Sequence, residues 1–305
     1  MTVVGRTCAG AQVRRKASAL CVLPIYKTIK QTRRMGISRT GSRGAMTEAS
    51  NVLSKARINW LERPGKDFPF YDGQPVMLST VQWLILLMAV AVGFACITVD
   101  VAILTGNLGI FVRTLLFPTI PLVTLRMIAG PHWRSLFGRL HGVDLGWMLG
   151  FAVLNLLVSV LVGMLVMKQF GADTNLAVDG LADLDTSERV LFFLRTIPQL
   201  FGEEVLTILP FLAILYVAYE RLNLSRTKAL LLAWVLSSAL FGLVHLPSYN
   251  WNLLQCLLVI GSARLVLSLA YIKTKNIWVS TGAHIINDWT IFAIVLFGSA
   301  PVVVS

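Results

Sequence analysis

Polar positions are rare along most of this chain, and apolar ones run together instead of alternating. Seven blocks are nearly free of charge: roughly 78–99, 103–128, 143–167, 190–219, 229–247, 251–272 and 277–297. A helix that crosses a bilayer needs about 20 mostly apolar residues at about 1.5 Å rise each. The blocks therefore predict an all-α, polytopic transmembrane helix bundle of about seven spans, within a range of six to eight. A β-barrel would show alternating segments of about ten residues, and the sequence has none. The second block is the least regular, because Arg113, Pro118 and Pro121 interrupt it. The fourth is longer than one crossing requires. Its first part, SERVLFFLRTIPQLFG, is expected to form a separate amphipathic helix, with a break at Pro198 or Gly202.

Composition supports this pattern. Of the 305 residues, 56% are hydrophobic and 14% charged, against about 25% charged in soluble domains. The net charge of +12 is concentrated at one end. Residues 1–60 hold 12 Lys and Arg against one acid, Glu48, which makes +11 and leaves +1 for the other 245 residues. The chain thus divides into a basic, polar segment, 1–77, and a helical domain, 78–305. A basic tail suits nucleic acid or anionic lipid; in a membrane protein the bilayer is the expected partner, not nucleic acid. Residues 1–45 show no acid, no helical period and no apolar face, whereas Met46 opens an ordinary polar lead-in. Met46 is therefore expected to be the true start. RRKASALCVLPIY is too short for a signal peptide, contains Pro24 and has no small-residue cleavage site after it. Cys8, Cys21, Cys96 and Cys256 have no paired spacing, so no disulfide frame is expected.

The loops suggest an orientation. RMIAGPHWRSLFGRLHG, ERLNLSRTKA and KTKN are basic, and KQFGADTNLAVDGLADLDTSE is acidic. Lys and Arg accumulate on the cytoplasmic side, which puts the N-terminus in the cytoplasm and the C-terminus outside. Trp60, Trp83, Trp133, Trp147, Trp251 and Trp278 lie near expected interfaces and read as belt residues. His132 and His141 fall in a basic loop and read as solvated. Arg113 reads as a snorkelling cation, with a counter-ion role as the alternative.

Ionisable groups inside the later spans carry the chemistry. They are Glu203 with Glu204, His245 in LFGLVHLPSYN, and His284 with Asp288 in GAHIINDW. Each such charge costs about 3 kcal/mol on insertion scales and marks a bundle interior or a water-filled cavity. His284 and Asp288 are four apart and share a helix face, so the acid can hold one imidazole nitrogen. Phe241 stands one turn before His245. Counted from the cytoplasmic ends, Glu204, His245 and Asp288 reach similar depths, so three spans can build one cavity. A desolvated Glu can act as a general base toward water, and a histidine can donate to an oxyanion. Adjacent Glu residues point about 100° apart on a helix, so one can face the cavity while the other bonds elsewhere. Two histidines and a Glu can alternatively hold zinc, with Glu203, His245 and His284 as the ligands. Taken singly, each feature has a plainer reading: a helix-to-helix donor, a chance pair, a solvated helix end, or packing for Phe241.

In order and spacing these residues resemble the CPBP (Abi) family of CAAX prenyl-protein and bacteriocin-processing intramembrane proteases. The family pattern is EExxxR, then FxxxH, then HxxxN or HxxxD, in separate spans. Here the segments read EEVLTI, FGLVH and HIIND, over about 200–290. The resemblance implies a membrane bundle that hydrolyses peptide bonds, with peptide or lipidated protein as substrate, and a bacterial cytoplasmic membrane as the location. It implies Glu203 as the base that activates water, Glu204 as its partner, His245 and His284 as oxyanion or water-positioning groups, and Asp288 as the group that orients His284. Asn287 and Phe241 are supporting residues. Proteins of this family are often labelled metalloproteases; no HExxH is present, and the expectation here is a metal-independent, Glu-activated water. One departure is plain: Ile208 stands where the family has Arg, which leaves the charge of the Glu pair without a neighbouring cation. Two other functions are consistent with the pattern. One is a catalytically silent immunity or scaffold protein of the same fold. The other is an ion-coupled transporter, against which stands the lack of internal repeats.

Overall fold

A computed structural model of the chain describes residues 57–58, 60–99, 104–175 and 180–298. The expectation that Met46 is the start lies outside these residues. The described chain is helical, with seven helices long and apolar enough to cross a membrane. They are α1 (Thr80–Thr98), α2 (Gly106–Ala129), α3 (Gly142–Phe170), α4 (Thr186–Tyr216), α5 (Arg226–Val244), α6 (Leu253–Thr274) and α7 (Ile277–Gly298). A 3-10 turn, Gly130–Leu136, extends α2, and π turns occupy Val217–Arg221 after α4 and Cys256–Ile260 within α6. The protein is an integral, multi-pass membrane protein.

Helix starts follow local chemistry. Ser79 with Gln82, and Asp185 with Glu188, form capping boxes that satisfy the first free N–H groups of α1 and α4. The bundle is built around α4, which packs against α1, α2, α5 and α7, while α6 packs against α3, α5 and α7. In its most apolar stretch α4 is 67% buried and α3 only 17%. The helix that carries the two glutamates is therefore the core, and α3 faces lipid.

Two expected breaks do not occur. Helix α2 runs through Pro118 and Pro121, and α4 runs through Pro198 and Gly202 as one helix of 31 residues. Proline is tolerated in a membrane helix where neighbours accommodate the freed carbonyl. Pro121 has no N–H for the Phe117 carbonyl, which lies instead against Gly93 of α1; a Cβ there would come within 2.5 Å of that oxygen. Gly202 does not break α4 either. It lets the Phe117 ring of α2 approach so closely that a Cβ would sit 2.4 Å from it, as small residues do at membrane helix contacts.

Two further sequence readings change. Arg113 is buried and donates to the carbonyls of Cys96 (2.7 Å), Ile97 (3.0 Å) and Val99 (2.7 Å). It closes the C-terminal end of α1, whose last carbonyls have no helical partner, so it does not snorkel. Trp83 is not a belt residue but a buried one, stacked on Tyr216 at 5.7 Å. His141, read as solvated, is exposed; it also caps α3, its Nδ1 lying 3.3 Å from Asp144.

The polar lead-in is built into the bundle. Leu61, Phe68, Phe70 and Tyr71 are buried, and Phe68 meets Phe211 at 5.4 Å and Tyr271 at 6.0 Å. Ion pairs fasten it. Buried Glu62 accepts from Arg226 Nη1 (2.8 Å) and Nη2 (2.6 Å), and from Lys275 Nζ (2.8 Å). Asp67 accepts a further bond from Arg226 at 2.6 Å. One strap thus ties the start of α5 to the α6–α7 junction.

Candidate active site

Helix α4 presents its two glutamates differently, as the angle between neighbours requires. Glu204 is wholly buried. Glu203 keeps 12% of its side chain exposed, and Gln199 Nε2, one turn back, donates to its Oε1 at 3.2 Å. Glu204 is held by a group absent from the sequence reading. Arg264 of α6, also wholly buried, donates from Nη1 to Oε1 at 2.6 Å and from Nη2 to Oε2 at 2.8 Å. The missing cation at position 208 is thus met from another helix, and the expected bare Glu pair does not occur.

Helix α7 brings His284 against both carboxylates. Nδ1 lies 2.9 Å from Glu204 Oε1, while Nε2 lies 3.8 Å from Glu203 Oε2 and 3.7 Å from Asp288 Oδ1. The group that orients the ring is therefore Glu204. Asp288, expected in that role, stands off the other nitrogen. A carboxylate doubly bonded by a guanidinium can only accept, so Nδ1 of His284 carries hydrogen and Nε2 faces Glu203 and Asp288. Asp288 is itself placed by a chain of amides: Asn155 Nδ2 donates to Asn287 Oδ1 (2.9 Å), and Asn287 Nδ2 to Asp288 Oδ1 (2.8 Å). Asn155, on α3, is a second residue that sequence reasoning missed. Trp289 Nε1 donates to Thr196 Oγ1 at 3.0 Å and stitches α7 to α4.

His245 ends α5 at its C-cap. Its Nδ1 lies 2.7 Å from the Phe241 carbonyl. A carbonyl only accepts, so the hydrogen is on Nδ1, which leaves Nε2 as the nitrogen able to accept. Phe241 is the hub of the group. Its ring centroid lies 4.5 Å from that of His245 and 6.3 Å from that of His284, and the Arg264 guanidinium sits 4.9 Å away over its face. On the turn after His245, Tyr249 accepts from Asn175 Nδ2 at 3.1 Å. Burial first, and the Asp288 carboxylate second, push its phenol up, so Tyr249 keeps its proton. The 171–175 loop is clamped over this end, Asp173 and Gln255 exchanging two hydrogen bonds at 2.8 and 2.9 Å.

The set combines two partly exposed carboxylates, Glu203 and Asp288, one locked carboxylate, two histidines with hydrogen on Nδ1 and a protonated phenol. That suits proton transfer to and from water beside a carbonyl. Zinc fits less well: among the described residues no three His, Cys, Asp or Glu side chains are grouped to hold a metal. His132 and His141 are exposed and lie in the α2–α3 connection, away from these residues in the chain.

Comparison with known proteins agrees with the geometry. Residues 186–290, about a third of the chain, match the family model described as "Type II CAAX prenyl endopeptidase Rce1-like". The matched stretch begins at the first residue of α4 and contains Glu203, Glu204, His245, Arg264, His284 and Asp288. No curated protein and no solved structure matches the chain.

Proposed function

We infer from the match over α4–α7 that this chain has the CAAX-type intramembrane protease fold of the CPBP family. We propose that the protein is an intramembrane endopeptidase that hydrolyses a peptide bond of a membrane-associated substrate. The observation that carries this reading is the division of labour within the Glu pair. Glu204 is held by Arg264 and His284, and Glu203 beside it is left partly exposed, with no Lys or Arg on it among the described residues.

In this reading Glu203 takes a proton from water as the oxygen attacks the scissile carbonyl carbon. His245 Nε2, an acceptor, holds the water's second hydrogen. The oxyanion that forms is met by hydrogen on His284 Nε2, which otherwise would turn a bare lone pair toward the carboxylates of Glu203 and Asp288. Tyr249 adds a neutral donor at the outer end. Breakage of the C–N bond returns the proton from Glu203 to the leaving amine, giving a free carboxylate and a free amine. No metal enters this sequence. An apolar groove of about 530 Å³ between α2, α4 and α7, lined by Phe111, Leu194, Phe201 and Trp278, supports a lipidated or membrane-embedded substrate that enters from the bilayer.

A missing cation at position 208 would favour a catalytically silent immunity or scaffold protein of the same fold; Arg264 on Glu204 supplies that cation and counts against it. The reaction is tested by incubating membranes that contain the protein in ¹⁸O-labelled water. New carboxyl termini should carry the label, and none should form with Glu203→Gln. Formation of the same termini by that variant would oppose the assignment.

A further inference from the structure

Ile208 lies one helical turn after Glu204 and is buried. On a helix that position faces its i−4 neighbour, so a cation there would reach Glu204 from within α4. In this chain the cation arrives from α6, 60 positions along the sequence. The π turn Cys256–Ile260 precedes it. A single π turn adds one residue and rotates everything after it by about 100°, which sets the face on which Arg264 emerges. Gly242 of α5 makes room for that turn: a Cβ there would meet the Cys256 carbonyl at 2.5 Å. Phe241 beneath the guanidinium and Ser268 Oγ, 3.4 Å from its Nε, complete the seat.

Stability does not explain such a pair. Taking two ions out of water costs several kcal/mol each, and apolar residues of similar volume usually replace a buried pair without loss. What the pair does supply is a fixed charge and a fixed direction. Glu204 Oε1 is shared by Arg264 Nη1 and His284 Nδ1, so the guanidinium acts on the imidazole through one oxygen.

We infer that Arg264 is a positioning residue that supplies, from α6, the cation that Ile208 does not supply from within α4. It keeps Glu204 ionised and in one rotamer, and so keeps the His284 hydrogen on Nδ1 and Nε2 aimed at Glu203. This rests on the proteolytic reading for its consequence in rate, but not for its consequence in structure.

The test uses the full chain in detergent micelles with ¹⁵N-labelled histidine. The sequence has only four histidines, so His284 can be assigned by difference. Arg264→Gln should shift the His284 nitrogen signals and lower turnover about 100-fold, the scale of a misplaced catalytic group, with KM nearly unchanged. Arg264→Lys, which cannot bond bidentately, should fall between. The deciding variant moves the charge into α4: Ile208→Arg/Arg264→Leu should regain the wild-type His284 signals and at least about tenfold of the lost turnover. Wild-type signals in Arg264→Gln would overturn the inference. So would a folded double variant whose His284 signals stay shifted, or failure of both variants to fold, either of which assigns Arg264 to structure alone. Should the wild type cleave nothing, the proteolytic reading fails while the nitrogen signals still decide this one.

Discussion

Removing one carboxylate should loosen the strap that holds residues 60–78 in the bundle. Glu62 is 2% exposed and receives three charge-assisted bonds, two from Arg226 and one from Lys275. Burial alone would raise its pKa above the ordinary 4.5; Arg226 and Lys275 outweigh burial and bring it to about 2. At 1.36 kcal/mol for each tenfold change, that difference corresponds to about 3 kcal/mol. The sign follows from the lowered value. The contribution is complete above 4.5, where the unfolded chain is ionised too, and is lost as pH falls toward 2. Glu62→Gln also leaves Lys275 buried beside a neutral amide, and breaking a buried pair from one side costs about 3–5 kcal/mol. The variant should therefore be about 3 kcal/mol less stable than the wild type at pH 7, with the gap closing as pH falls from 4.5 toward 2. Unfolding in mixed micelles, followed by thiol labelling of buried Cys256, measures both. Equal stability at pH 7, or a gap that widens on acidification, would refute the reasoning.

Other expectations follow from single contacts. Arg113→Leu should cost about 1–3 kcal/mol by stripping partners from the carbonyls at the end of α1, read as a lower unfolding midpoint. Gly202→Ala should cost about 1–3 kcal/mol, because the new Cβ meets the Phe117 ring; Gly282→Ala should cost less, because its nearest neighbour is the flexible end of Met148. Chelators should leave cleavage intact, and activity that returns only with added zinc would replace the water-and-glutamate scheme.

The spans and the ionisable residues within them could be read from residues alone, because ionisable side chains stand out against long apolar runs. Glu203, Glu204 and Asp288 lie within 4 Å of His284, and the Phe241 ring stands between His284 and His245. Arg264 and Asn155 carried the same signal, a polar residue in an apolar span, but their partners are far along the chain. A reading of i to i+4 pairs cannot see Glu204 and Arg264 together. The same locality gave His284 to Asp288, its neighbour on the helix, when α4 supplies the closer oxygen. Pro118, Pro121 and Pro198 looked like breaks because proline removes a local bond; contacts such as Phe117 against Gly93 belong to another helix. The strap was read as polar lead-in because Phe68, Phe70 and Tyr71 have no period, and their burial depends on α4 and α6.

The central claim is hydrolysis driven by Glu203. It is tested most directly by comparing protein ends, by mass spectrometry, in cells holding equal membrane levels of wild type or Glu203→Gln. The account predicts a set of new termini in membrane-associated proteins that appear only with the wild type. Identical sets of termini would contradict it.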